Sequence, residues 1–141
     1  MRSRALLIAL VLASAAHGVP TDDEVEAHRV ALGVAVAFQN EGFKLRDGVH
    51  ARRTEPGKSH LVQVNLYAGN EYWFTLGASK AAAKVAVSVF DGDGKPEECQ
   101  PSAEGATAAA GFSPTVSGPY YVKIELVEGA PCALCLVYSY K

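Results

Sequence analysis

The strongest constraint on this chain is an alternation of apolar and polar residues that begins after Gly42 and continues to its end. Val62, Val64 and Leu66 fall on one side of such a segment, and Gln63 and Asn65 fall on the other. Turn residues separate these segments at intervals of about ten residues, which is typical of antiparallel strands in a sandwich. The pattern therefore predicts an all-β fold, an antiparallel β-sandwich. The predicted strands cover 43–53 (bent at Asp47-Gly48), 60–67, 71–76, 84–90, 107–112, 120–127 and 133–140, and we expect 84–90 to be the central strand.

The segment before the strands has the pattern of a helix. Thr21 and Glu24 have the spacing of a capping box, and Asp22 and Asp23 place negative charge in the first turn. A helix from here ends near Asn40-Glu41-Gly42. A strand over 30–38 is the alternative, because Gly33 and several valines disfavour a helix. The helical reading gives an apolar stripe of Val25, His28, Leu32, Ala35 and Val36.

The first eighteen residues look like an export signal. Arg2 and Arg4 precede an apolar run from Ala5 to Ala16, and small residues follow at Ala16-His17-Gly18. The run is too short to cross a bilayer as a helix. The sequence therefore predicts a signal peptide at 1–18, a helical segment at 19–42 and a sandwich domain at 43–141, in a protein that is secreted or periplasmic.

The charge balance argues against some partners. The chain has 13 basic and 15 acidic residues and a formal net charge of −2. We expect no nucleic-acid partner, because binding to phosphates needs a concentration of positive charge. No apolar stretch after the signal approaches the length of a membrane helix, so we expect no transmembrane segment once the signal is removed.

Three cysteines, Cys99, Cys132 and Cys135, are candidates for a disulfide, since an exported protein meets oxidising conditions. Cys99 with Cys132 is slightly preferred over Cys99 with Cys135. The Cys132-Ala-Leu-Cys135 spacing also occurs in redox and zinc sites. A redox pair needs a helix start, however, and a closed zinc site needs a fourth ligand beyond the three thiols, for which His28, His50 and His60 are the candidates.

Asp91-Gly-Asp-Gly begins like a calcium loop, and Glu97 and Glu98 follow closely. The carboxylate that would end an EF-hand loop is missing, because Ser102 stands at that position. A tight turn is the default interpretation, because Asp and Gly suit a hairpin turn. We therefore expect no cofactor, with a weak calcium site at Asp91, Asp93, Glu97 and Glu98 as the alternative.

Two aromatic residues are candidates for ligand binding. Trp73 and Tyr121 fall opposite the inward rows of their strands, so each side chain is expected on an outer face of the sandwich. The sequence contains no nucleophile elbow and no pair of histidines at metal-ligand spacing on a helix. We therefore expect a protein that is not an enzyme.

The order of three motifs resembles the bacterial pre-peptidase C-terminal domain. These are the Ala68-Gly69-Asn70 turn before an aromatic strand, the strand ending in Asp91 to Gly94, and the late strand 118–124 with Gly118 and Tyr120. The resemblance implies a secreted, jelly-roll-like β-sandwich that acts as a non-catalytic accessory module, usually attached to a hydrolase. We expect this chain to differ from that setting in having no attached enzyme and in having an additional N-terminal helix.

Together these features predict an exported, non-catalytic accessory or binding protein. Its partner would be a glycan, a peptide or an envelope protein. The alternatives are an envelope protein that acts on a protein partner through its loops, and a weak calcium- or zinc-binding protein.

Overall fold

The computed structural model describes residues 19–80 and 82–141, which form one α-helix and nine β-strands. The elements are α1 (Asp22–Gln39), β1 (Lys44–Leu45), β2 (His50–Thr54), β3 (Ser59–Leu66), β4 (Tyr72–Ala78), β5 (Ala82–Phe90), β6 (Gln100–Glu104), β7 (Thr107–Phe112), β8 (Gly118–Gly129) and β9 (Cys132–Tyr140).

The strands form two antiparallel sheets, which confirms the predicted all-β sandwich. Sheet A has the order β1-β9-β4-β7-β6, with β2 also paired to β9, and sheet B has the order β3-β8-β5. The pairs are nested: β2 pairs with β9, β3 with β8, and β4 with β7. Successive strands from β2 to β5 alternate between the sheets. This is the arrangement of a jelly roll, which is a long hairpin folded over on itself.

The N-terminal segment is a helix, and the alternative of a strand over 30–38 is wrong. The Thr21 side chain accepts a hydrogen bond from the Glu24 backbone N–H, as the capping-box pattern predicts. The buried face differs from the predicted stripe, because Val25 and Val36 are 57% and 52% exposed. The residues buried against the sheet are Ala27, Ala31 and Ala35, of which Ala35 was part of the predicted stripe.

Sheet A is covered on both sides. Large apolar side chains fill the space between the two sheets, including Phe74, Leu76, Ile124 and Leu136. On the other side, α1 packs against β4 and β9 through a second, smaller cluster that contains its three alanines with Ala133, Cys135 and Val137. The protein therefore has three layers, in the order α1, sheet A and sheet B.

Two strand predictions need correction. β5 is not a central strand: it is an edge of sheet B, and β8 lies at the centre. β5 nevertheless has the predicted inward row, because Val85 and Val89 are buried. Strand β6 was not predicted, because its five residues are all exposed and include Pro101, so no apolar alternation marks it. It pairs with β7 as an edge strand, where a proline is tolerated.

The predicted signal peptide at 1–18 lies outside the described residues. Within the described part of the chain, no helix is both long enough and apolar enough to cross a membrane.

Candidate functional site

Trp73 lies on the outer face of sheet A, beside the last turn of α1. Its indole ring stacks on the ring of Phe38, with centroids 4.3 Å apart and an angle of 14° between the ring planes. It also covers Gly111, its neighbour on β7, where an added Cβ would lie 2.9 Å from the indole. Because Gly111 has no side chain, the indole can lie directly against its backbone. The predicted outward direction of Trp73 is confirmed, although Phe38 occupies the position where a ligand ring would stack.

A cleft of about 700 Å³ opens beside Trp73. Three segments of the chain form it: the end of α1 with the loop that follows, the start of β4, and the adjoining ends of β6 and β7. Phe38, Phe43 and Trp73 form its aromatic side, whereas Tyr72 and Phe112 border it but belong to the buried cluster between the sheets. Its polar lining residues include Gln100, Ser102 and Ser113.

The rim of the cleft carries an ion pair. The Lys141 ammonium lies 3.5 Å from a Glu71 carboxylate oxygen and 4.7 Å from the centroid of the Phe43 ring. It also donates a hydrogen bond to the Glu41 carbonyl oxygen at 3.3 Å. These groups are partly exposed, so they position the rim more than they stabilise the fold.

Two hydroxyl groups lie on the sheet next to Trp73. Ser139 is the direct cross-strand partner of Trp73, and Thr75 follows two residues later on the same face of β4. Both residues are 0% exposed. Neither hydroxyl has a hydrogen-bond partner among the described residues.

Tyr121 lies on a different side of the molecule. It is part of the outer face of sheet B, where Leu61, Phe90, Tyr121 and Lys123 surround a shallow depression of about 290 Å³. The Lys123 ammonium lies 5.6 Å from the centroid of the Phe90 ring. Sheets A and B separate Trp73 from Tyr121, so the two predicted ligand-binding candidates do not form one surface.

The three cysteines are free thiols, so the predicted disulfide is not formed. Gln100, the residue after Cys99, is at the level of Ser139 on β9, whereas Cys132 begins β9 at its opposite end. Along the strand direction the register therefore separates Cys99 from Cys132 by more than about 20 Å. A disulfide needs Cα atoms within about 7 Å.

The Cys132-to-Cys135 spacing does not produce a redox pair or a metal site. The two residues are an odd number of positions apart on one strand, so their side chains point to opposite faces of sheet A. Cys132 belongs to the cluster between the sheets, and Cys135 belongs to the cluster beneath α1. Burial raises the pKa of the Cys135 thiol to about 11, which opposes formation of a reactive thiolate.

The acidic motif after β5 is a turn. One carboxylate oxygen of Asp91 accepts hydrogen bonds from the backbone N–H groups of Asp93 and Lys95, each at 2.9 Å. Within residues 19–80 and 82–141, no three His, Cys, Asp or Glu residues are placed to hold one metal ion. The structure therefore does not bring Asp91, Asp93, Glu97 and Glu98 together as a calcium-ligand set.

Sequence reasoning missed the residues that shape the cleft. Phe38 and Phe43 flank the predicted end of the helix and could have been noticed as apolar residues beside a stop signal. Thr75 and Ser139 gave no signal, because single hydroxyl residues inside strands are common.

A scan against protein-family models finds no match to this chain, and a search of curated proteins finds none either.

Proposed function

We propose that this protein is a non-catalytic binding protein whose ligand occupies the cleft beside Trp73. The observation that carries the proposal is the stacked pair of Phe38 and Trp73 beside an open cleft, with Phe43 next to it. The volume of the cleft falls within the range of about 300–1,000 Å³ typical of ligand sites. An apolar ring or side chain in the cleft would contact the exposed parts of the Phe38 and Trp73 rings.

The non-catalytic and exported parts of the proposal rest on the sequence. The apolar run behind Arg2 and Arg4 has the form of an export signal, so the ligand is expected outside the cytoplasm. The resemblance to the pre-peptidase C-terminal domain favours an accessory role. A glycan, a peptide or an exposed segment of an envelope protein is the expected partner class.

Binding is tested by isothermal titration calorimetry and by co-sedimentation with insoluble polysaccharides and cell-envelope fragments. Trp73→Phe keeps an aromatic ring but shortens the cleft wall, and we expect it to weaken binding about ten-fold or more. A thermal melt of each variant separates loss of ligand binding from loss of fold.

Tyr121→Ala is the matched control, because it removes an aromatic side chain from the outer face of sheet B. We expect binding to be unchanged in this variant. The reverse result, with Tyr121→Ala defective and Trp73→Phe normal, would move the binding site to sheet B and overturn the proposal.

A further inference from the structure

The two edges of sheet B differ in how they are covered. Strand β5 forms one edge, and the segment that follows it lies partly along that edge. Glu97 donates a backbone hydrogen bond to the Val89 carbonyl oxygen at 2.9 Å, and Phe90 forms an isolated bridge with Pro96. The pairing of the first residues of β5 with β8 is also irregular. Cover of this kind and irregular pairing both hinder the addition of another strand.

Strand β3 forms the other edge of sheet B, and no described segment pairs with it there. Among residues 19–80 and 82–141, β3 pairs with β8 alone, and no other backbone hydrogen bond reaches residues 59–66. The strand is eight residues long, contains no proline and pairs with β8 without a bulge. Every second residue of such an edge strand points its N–H and C=O groups away from the sheet. The free edge of β3 is therefore a regular template for one more strand.

The composition of β3 does nothing to prevent pairing with an identical strand. Natural edge strands commonly carry charges or a proline that block such pairing. The edges of sheet A follow this rule, because β2 contains two arginines and β6 contains a proline and a glutamate. β3 contains no Asp, Glu, Lys or Arg, and its exposed residues are Ser59, Leu61, Gln63 and Asn65. Leu61 is 62% exposed, so a neighbouring strand would remove apolar surface from water.

The alternation of β3 also matches that of a second copy. Residues directly opposite each other in an antiparallel pair share one face of the sheet. With a two-fold axis beside Gln63, Val62 of one copy is opposite Val64 of the other, so the buried apolar rows of the two copies meet end to end. On the open face, Gln63 is opposite its own copy and Leu61 is opposite Asn65. This register brings no two charges of β3 together.

We infer that a second copy of this chain binds along β3 in an antiparallel orientation. The sheet order β5-β8-β3 of one copy then continues into β3-β8-β5 of the other. A single strand edge offers a small contact area compared with stable interfaces, so the dimer forms reversibly and depends on concentration. No residue of β3 lines the cleft beside Trp73, so the inference is independent of the proposed function.

The full chain is expressed, and the mass of the purified product is measured by analytical ultracentrifugation over a range of concentrations. We expect an equilibrium in which the average mass rises toward twice that of the monomer. Gln63→Lys places a positive charge beside its copy, and like charges directly opposite each other destabilise a strand pair. We expect this variant to weaken dimerisation about ten-fold or more.

Ala103→Lys is the matched control, because it adds the same charge to an exposed position on β6, an edge of sheet A. We expect its dimerisation to equal that of the original chain. Thermal melts of both variants show that each retains the fold. If Ala103→Lys abolishes the dimer and Gln63→Lys does not, the copies meet through sheet A, and the inference is wrong.

Gln63→Cys tests the register. Directly opposite Cα atoms lie about 4.5–5.5 Å apart, which a disulfide can bridge. We expect a cross-linked dimer on a non-reducing gel after mild oxidation. Asn65→Cys is displaced from its own copy by about four residues, roughly 13 Å, and should cross-link little. The original chain, with its three free thiols, gives the background level.

The opposite results overturn the inference. A cross-link through Asn65→Cys but not through Gln63→Cys contradicts the stated pairing of β3 with its copy. A chain that stays monomeric at all concentrations up to about 1 mM shows that β3 does not bind a second copy. Neither result bears on ligand binding at the cleft, which is measured separately.

Discussion

The two faces of sheet A differ in the size of the side chains that they bury. The face toward sheet B carries Phe74, Leu76, Leu134, Leu136 and Tyr138. The face toward α1 carries Trp73 at one end and otherwise small or medium side chains: Thr75, Gly77, Ala133, Cys135, Val137 and Ser139. The same two strands supply both rows, because successive residues of a strand point to opposite sides.

The difference shows that a close approach of the backbones and a large stabilising free energy from burial are separate properties. Burying one leucine or phenylalanine contributes about 1.5–3 kcal/mol, whereas the single methyl of an alanine contributes about 0.8 kcal/mol. The helix side nevertheless has the closer backbone approach: an added Cβ on Gly77 would lie 2.6 Å from the Ala27 carbonyl oxygen and would also contact the Ala31 nitrogen. The side chains between the sheets thus provide most of the free energy of unfolding. The packing of α1 on the other face of sheet A contributes less.

The largest expected effect comes from adjacent substitutions on β9. Leu136→Ala opens a cavity between the sheets and should lower the free energy of unfolding by about 2–5 kcal/mol. Val137→Ala, on the helix side, should cost less because it removes fewer atoms from a layer of small side chains. Urea denaturation of both variants measures the difference, and equal losses would contradict the ranking of the two faces.

Gly77→Ala tests the close approach of the helix. The new methyl would meet backbone atoms of α1, which cannot rotate away, so α1 must shift outward. We expect a loss of about 1–3 kcal/mol in urea denaturation. A variant as stable as the original protein would show that α1 does not need this close contact.

Alkaline pH should weaken the helix side through Cys135. Burial raises the pKa of this thiol to about 11 from an ordinary value of 9.0, so the unfolded chain loses the proton first. The protonated thiol stabilises the folded state fully below about pH 9, and this contribution is lost as the pH rises toward 11. At pH 10 the loss in the free energy of unfolding is about 1 kcal/mol. Cys135→Ala should remove this part of the pH dependence when stability is compared at pH 8 and pH 10. An unchanged slope would mean that the thiol is not buried beneath α1.

The smallest expected effect concerns α1 itself. Gly33 lies in the interior of the helix with nothing within 4 Å of the position of a new Cβ. Gly33→Ala should therefore raise stability by up to about 1 kcal/mol through helix propensity alone. Circular dichroism during thermal unfolding measures it, and a loss of stability would indicate a contact on the exposed side of the helix.

The sequence predicted those elements whose burial leaves a regular pattern. Strand β3 alternates cleanly because one face of sheet B is open, and α1 was marked by its capping box. The pattern became misleading where small residues are buried and larger ones are exposed, so Val25 and Val36 were placed on the wrong face of the helix. The position of β5 at an edge depends on pairing between distant strands, which no local pattern contains.

The candidate site was predictable only in part. Alternation placed Trp73 on an outer face, but it could not show that Phe38, 35 positions earlier in the chain, stacks on the indole. The cysteine prediction failed because proximity in a sandwich depends on strand register, and that register separates Cys99 from Cys132.

The nested order of the strands also affects how the protein reaches its native state. Strand β9 pairs with β1, β2 and β4, so an interior position of sheet A stays empty until β9 has been made. Contacts between such distant segments make folding slow, on the order of milliseconds to seconds. A chain whose synthesis has not reached β9 therefore has no complete sheet A.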